Sequence, residues 1–319
     1  MATSGDRVTV LSVVGAGRSG TTVLASILGE VPGCAGAGEI RWLWQRGVLD
    51  GRPCGCGEKP ADCPVWSQVI ERCLATPGPG GVPPTVETIV AAQKELGERR
   101  NHRRVLRSAA GGAEDWEALR LLRHVTGIAV RTFAEATGAN VVIDTSKRPL
   151  DAAVMAGVKD IDHYVLHVLR DPRAVAHSWR RAKSFSVGDE TRTMGTRRLP
   201  STVRRWLASA IETEALRRHL PPQHWLRLRY EDFCAEPVES MDRVLSMMGV
   251  AGRPPFEDVA TVSLRPNHIV AGNPSRFTVG SVRIRVDEEW RTAMSRRDRL
   301  LVVSSTWPLL RRYGYPWRG

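Results

Sequence analysis

Two short runs hold most of the residues whose type and spacing could do chemistry. The first, Gly15-Ala16-Gly17-Arg18-Ser19-Gly20-Thr21-Thr22, combines glycines with one arginine and several hydroxyls. Backbone amides of such a loop, at the start of a helix, bind an anionic group, and Arg18, Ser19, Thr21 and Thr22 supply further donors. The same residues fit two templates. Gly15-x-Gly17-x-x-Gly20 is a dinucleotide fingerprint that would make the chain an NAD(P)- or flavin-dependent oxidoreductase. It wants an acidic residue about 20 positions on, where Glu39 stands. G-x-x-x-x-G-x-T is instead a phosphate loop with Thr21 in the lysine's place, and that loss disfavours kinase or ATPase chemistry. In the second run, Tyr164–Arg181, Arg170 ends an apolar stretch and Ser178 follows eight residues later. An arginine there offers an anion charge-assisted hydrogen bonds worth about 1.5–3 kcal/mol each, and a serine hydroxyl is a further donor. The plainer alternative is a strand–helix turn stapled by an Arg-Asp pair.

These residues need a frame. Thr9–Val14 is a short apolar run ending at glycine, the form of a buried parallel strand. Val23, Leu24, Ile27 and Leu28 make a helical stripe over Gly20–Leu28, so strand, loop and helix open a βαβ unit. Further strands are expected at Val141–Ile143, Tyr164–Leu169 and Trp225–Leu228, ahead of helices at Pro149–Ala156, Pro172–Arg181 and Glu236–Met248. Ser201–Leu220 reads as a long additional helix. The fold class is therefore α/β, a mostly parallel central sheet flanked by helices, in one domain over residues 1–319. A breaker cluster at Pro77–Pro84 introduces a helical, charge-rich stretch with a second break at Gly111–Gly112. Residues 77–137 are read as a helical insertion near the acceptor site. Val31–Gly38 (VPGCAGAG) is not expected to form a strand, which counts against the dinucleotide reading, whose acidic residue should close one.

With both runs in place, the chain resembles the sulfotransferases that use 3′-phosphoadenosine-5′-phosphosulfate (PAPS), in particular bacterial carbohydrate-type and tyrosylprotein-like members. GAGRSGTT is similar to their 5′-phosphosulfate loop, and Arg170 with Ser178 to their 3′-phosphate motif. Leu228–Phe233 (LRYEDF) resembles a strand end whose tyrosine, here Tyr230, lies near the adenine. Asp144–Lys147 (DTSK) and Gly272–Phe277 (GNPSRF) match further segments, the latter a nucleotide-closing loop with Arg276 as its basic residue. The resemblance spans nearly the whole chain. It implies a P-loop-NTPase-like sulfotransferase fold, transfer of a sulfuryl group from PAPS to a hydroxyl of a sugar, lipid or natural product, release of adenosine 3′,5′-bisphosphate (PAP), and no metal. Donor binding would fall to Gly17, Arg18, Ser19, Gly20, Thr21, Thr22, Arg170, Ser178, Tyr230 and Arg276. Glu39, 21 residues after Arg18, would be the general base for in-line attack, as a glutamate stands similarly in some relatives. His268 and His167 are rival bases, since cytosolic small-molecule members use a histidine. Arg18 and Lys147 would neutralise the leaving phosphate, and Arg41 would orient Glu39 or the acceptor.

The formal charge of +12, from 46 basic and 34 acidic residues, fits a polyanionic partner. PAPS qualifies, with about four negative charges at neutral pH. Arginine pairs are spread along the chain without the interleaved aromatics of a stacking platform, so nucleic acid is not expected. A basic anion- or nucleic-acid-binding module remains the non-enzymatic alternative. A hydrophobic content of 42% excludes global disorder. No apolar run reaches the roughly 18–20 residues of a membrane span, and Met1–Val8 does not read as a secretory signal, so the cytoplasm is the expected location. Cys54, Cys56, Cys63 and Cys73 are spaced C-x-C-x6-C-x9-C, which fits no common zinc knuckle. They are read as a Gly/Cys/Pro-rich loop with reduced thiols.

Overall fold

Alternation along the first apolar run sends Val10 and Val14 into one hydrophobic cluster and Leu11 and Val13 into another, all four buried. A strand buried on both faces needs helices on both sides. The computed structural model, which describes residues 7–112, 115–187 and 190–317, has that architecture. Its strands are β1 (Val8–Val14), β2 (Cys34–Gly38), β3 (Val141–Lys147), β4 (Ile161–Leu169), the hairpin β5 (Lys183–Val187) and β6 (Glu190–Met194), β7 (Trp225–Arg229), and the ribbon β8 (Thr261–Leu264) and β9 (Gly280–Arg283). The central sheet has five strands in the order β2-β3-β1-β4-β7, every pairing parallel.

The helices that matter for the site are α1 (Thr21–Leu28), α2 (Trp66–Ala75), α3 (Val86–Leu96), α4 (His102–Arg107), α5 (Glu117–Thr137), α6 (Pro149–Ala156), α7 (Pro172–Arg180) and α8 (Leu199–Arg217). The stretch from α3 to α5 is helical as expected, and it breaks at Gly111 and Gly112, both left-handed (φ 97° and 89°). It carries the crossover from β2 to β3. Phe133 of α5 packs on Trp66 of α2, ring centroids 4.8 Å apart, beneath one face of the sheet. Among the described residues no helix is long and apolar enough to cross a membrane.

One expectation fails. Residues 34–38 do form a strand, β2, at the sheet edge beside β3. Its alanines and glycines have little intrinsic strand preference, but α1 lies almost on top of it. A Cβ on Gly36 would stand 3.1 Å from the Ala25 carbonyl oxygen. Small residues are what this close approach demands. A strand does precede Glu39, and it is strand order that counts against a dinucleotide fold. A dinucleotide fold runs 3-2-1-4-5, with β2 beside β1; here β3 separates them.

Candidate active site

The ends of β1, β3 and β4 meet at the glycine loop. Gly15 donates its amide to the Lys147 carbonyl (3.0 Å), and any Cβ there would lie 2.2 Å from the Val168 carbonyl oxygen. Gly20, at φ 79°, caps α1 with its ring-side face against Tyr230, whose Cε2 would be 2.4 Å from a Cβ. No side chain caps α1 and no acidic residue sits in its first turn, so its leading amides are left for an anion. The Ser19 hydroxyl is buried beside them, with no hydrogen-bond partner among the described residues. Arg18 adopts a left-handed φ of 74° and Lys147 one of 69°. Such conformations cost about 1–3 kcal/mol and persist where surrounding structure imposes them, characteristically at functional sites.

Four arginines crowd this end of the sheet. Arg170, directly after β4, donates from Nη1 to the Arg18 carbonyl (2.8 Å) and lies over the Tyr230 ring, 4.6 Å from its centroid. Arg18 and Arg197 both lie over Trp179, at 4.7 and 4.2 Å, while the indole donates to the Gly17 carbonyl (3.2 Å). Burial, and then the charges of Arg181, Arg197 and Arg170, pull Arg18 below its ordinary pKa. Asp287 partly balances this charge, 2.6 Å from Arg181 and 3.5 Å from Arg170. Burial pushes Asp287 up, but the Arg181 hydrogen bond and the two guanidinium charges outweigh it and hold its carboxyl below the usual range. The Arg170 Nε is buried, with no hydrogen-bond partner among the described residues. Ser178 is buried two turns into α7. The Arg-Asp staple also exists, but its members are Asp171 and the fully buried Arg173, 2.6 Å apart.

Glu39 follows β2 and is 6% exposed. Its amide donates to the Val270 carbonyl (2.9 Å), and its carboxylate accepts from the Lys147 ammonium. Gly272 lies between Glu39 and the glycine loop, since a Cβ there would meet Glu39 Oε1 at 3.4 Å and Thr22 Oγ1 at 3.5 Å. The Asn273 amide also donates to Thr22 Oγ1 (3.4 Å). Arg41 turns the other way, toward Asp151 (3.4 Å), and lines a cavity of about 40 Å³ with Gln93, Asp144 and residues of α5 and α6. Asp144, which the sequence singled out only as part of DTSK, is fully buried. Its Oδ1 accepts from Ser146 Oγ (2.6 Å) and from the amides of Ser146 (3.1 Å) and Ile40 (3.3 Å). Burial pushes its carboxyl up to about 7.

Other expected residues lie apart from this constellation. Arg276 is buried, with its guanidinium on the carbonyls of Gly272, Asn273 and Pro53. It fastens the late loop to residue 53. His167 is buried on β4 between Trp225 and Tyr313, and burial lowers its pKa to about 3. His268 turns its Nδ1 to Cys63 Sγ (3.3 Å). Cys73 is not near the other three cysteines of its run; its thiol donates to the Val125 carbonyl in the core. His268 instead joins Cys54, Cys56 and Cys63, and no local pattern marks a partner so distant in sequence.

The model of a sulfotransferase family matches residues 77–254, more than half of the chain and including Arg170, Ser178 and Tyr230. No curated protein matches. Among solved structures, the chain is similar to the sulfotransferase domain of the Synechococcus PCC 7002 olefin synthase, with 14% identity and a TM-score of 0.52. That match covers 99% of this chain and 98% of that one. It also matches the sulfotransferase domain of the curacin biosynthetic pathway, with 13% identity, a TM-score of 0.48, and 97% and 98% of the two chains covered.

Proposed function

The chain belongs to the sulfotransferase family, and on that premise we propose that it transfers a sulfuryl group from PAPS to an acceptor hydroxyl with Glu39 as general base. The observation that carries this reading is the position of the buried Glu39 carboxylate, held by Lys147 and sharing Gly272 with Thr22 of the anion loop. A carboxylate, a cation and an anion cradle, distant in sequence, thus adjoin one another. The donor supplies an activated sulfuryl group on a phosphate leaving group. Everything else falls to this chain. Glu39 takes the proton from the acceptor hydroxyl, and Lys147 and Arg18 carry positive charge where the leaving phosphate gains negative charge. The α1 amides and Ser19 hold the 5′ end, Arg170 and Ser178 the 3′-phosphate, and Tyr230 the adenine.

The acceptor approaches Glu39 past the adjoining Ile40 and Arg41, beside the small cavity that helices α3, α5 and α6 wall. This assigns residues 77–137 the role of shaping the acceptor site. Thermal shift with PAP, AMP and NAD tests the reading. PAP should stabilise the protein, AMP less and NAD not at all; a ligand at 100 times its Kd contributes about 2.7 kcal/mol. Stabilisation by NAD without PAP would restore the oxidoreductase reading, and indifference to all three combined with steep salt dependence would favour a simple anion-binding module.

A further inference from the structure

Outside the reaction chemistry lies a second constellation. Cys54, Cys56, Cys63 and His268 each offer one ligand atom, and all four atoms fall within 4.8 Å of one another. Cys54 and Cys63 are completely buried. The Cys63 and Cys54 sulfurs are 3.9 Å apart, and Cys63 Sγ is 3.3 Å from His268 Nδ1. A tetrahedral zinc ion with thiolates at about 2.3 Å and imidazole at about 2.0 Å spaces its ligands about 3.5–3.8 Å apart. The measured separations bracket that value. They leave room for one ion at the centre.

The surrounding backbone is arranged for thiolates. Amides of Cys56, Glu58, Val65 and Trp66 donate toward the cysteine sulfurs, Cys56 to Cys54, Glu58 to Cys56, and Val65 and Trp66 to Cys63. Such amides lower the energy of charged sulfur. A tight turn closes the first arm, with Gly57 left-handed at φ 95° and its amide on the Cys54 carbonyl (3.0 Å). Three thiolates and an imidazole are a soft, closed donor set that selects zinc and leaves no open position for substrate.

We propose that Cys54, Cys56, Cys63 and His268 hold a structural zinc ion. The ion clasps the 54–63 loop to the 267–273 segment, where Gly55 already donates to the Ile269 carbonyl (3.0 Å) and Trp66 Nε1 to the His268 carbonyl (2.6 Å). That segment supplies the Val270 carbonyl that pins Glu39. Binding releases the thiol protons, so occupancy falls in acid.

Protein purified reduced and without chelator should carry about one zinc per chain by elemental analysis. Cobalt added to chelator-treated wild type should give the intense visible bands of tetrahedral thiolate coordination. Cys63→Ser and His268→Ala should each lose the ion, whereas Cys73→Ala should keep it. Folded wild type that neither contains zinc nor gives that cobalt spectrum overturns the proposal, as does a Cys54–Cys63 disulfide found by thiol counting. Both wild-type measurements decide the matter even if the variants fail to fold, and neither depends on PAPS being the donor.

Discussion

Replacing Arg170 by alanine probes the distinction between PAP and AMP. The Arg170 Nη1 donor is committed to the Arg18 carbonyl. Nε has no partner among the described residues, and Nη2 meets Asp287 alone, its carbonyl at 3.2 Å and its carboxylate at 3.5 Å, contacts that a 3′-phosphate would share or displace. Two donors are thus available to a 3′-phosphate. At about 1.5–3 kcal/mol per charge-assisted hydrogen bond, their loss is worth about 3–6 kcal/mol, or about 10²–10⁴-fold in Kd. Alanine also releases the Arg18 carbonyl and loosens the 5′ site, so AMP weakens too. The quantity to read is therefore the ratio of PAP to AMP affinity, measured by titration calorimetry in wild type, Arg170→Ala and Arg170→Lys. Lysine keeps the charge without the planar fork and should fall between the other two. Equal loss of both ligands in Arg170→Ala would refute a 3′-phosphate contact and leave Arg170 as a brace for the loop.

Glu39→Gln should lower turnover by about 10²–10⁴-fold with donor affinity nearly intact; near-normal turnover under single-turnover conditions removes Glu39 as base. Gly20→Ala combines left-handed strain of about 1–2 kcal/mol with a clash on Tyr230 of about 1–3 kcal/mol. It should unfold well below wild type in a denaturant melt, whereas Gly138→Ala, left-handed but with nothing within 4 Å, should show only the strain. A Gly20→Ala midpoint equal to that of Gly138→Ala contradicts the clash. Because burial raises the Asp144 carboxyl from 3.8 to about 7, its contribution to stability is present below about pH 4 and is lost as pH rises through 7, by up to about 4 kcal/mol. Asp144→Asn keeps an acceptor for Ile40 and Ser146 without the charge, so its stability relative to wild type should grow across that window; a constant difference from pH 4 to 8 argues against a buried, ionising Asp144.

Where function is encoded locally, the sequence is transparent. β1, the glycine loop and α1 are contiguous, and the apolar rhythm that makes the strand ends where the amides must open. Pro149 and Pro172 sit at the first turns of α6 and α7, so those helices start where read. β2 escaped because its residues are chosen for the space left by α1 rather than for strand preference. The partner of the three cysteines escaped for a different reason. His268 reaches them only after the late loop docks along β2, a contact that no window of sequence contains. Arg276 is named through the resemblance of GNPSRF to a nucleotide-closing loop; the sequence does not show that its guanidinium also binds the carbonyls of Gly272, Asn273 and the distant Pro53.

The docking of Val270 on Gly38 and Glu39 also sets an order of assembly. During synthesis the anion loop is made well before the carbonyl that fixes Glu39 and the amide that meets Thr22, the latter 251 residues further along the chain. Contacts of such long sequence separation form late, because loop closure must precede them. On the proposed function, a nascent chain can therefore build β1, β3 and β4 and present its anion loop before Glu39 is fixed in place. Binding competence should precede catalytic competence on the ribosome, with chains stalled before residue 270 retaining PAP but transferring nothing.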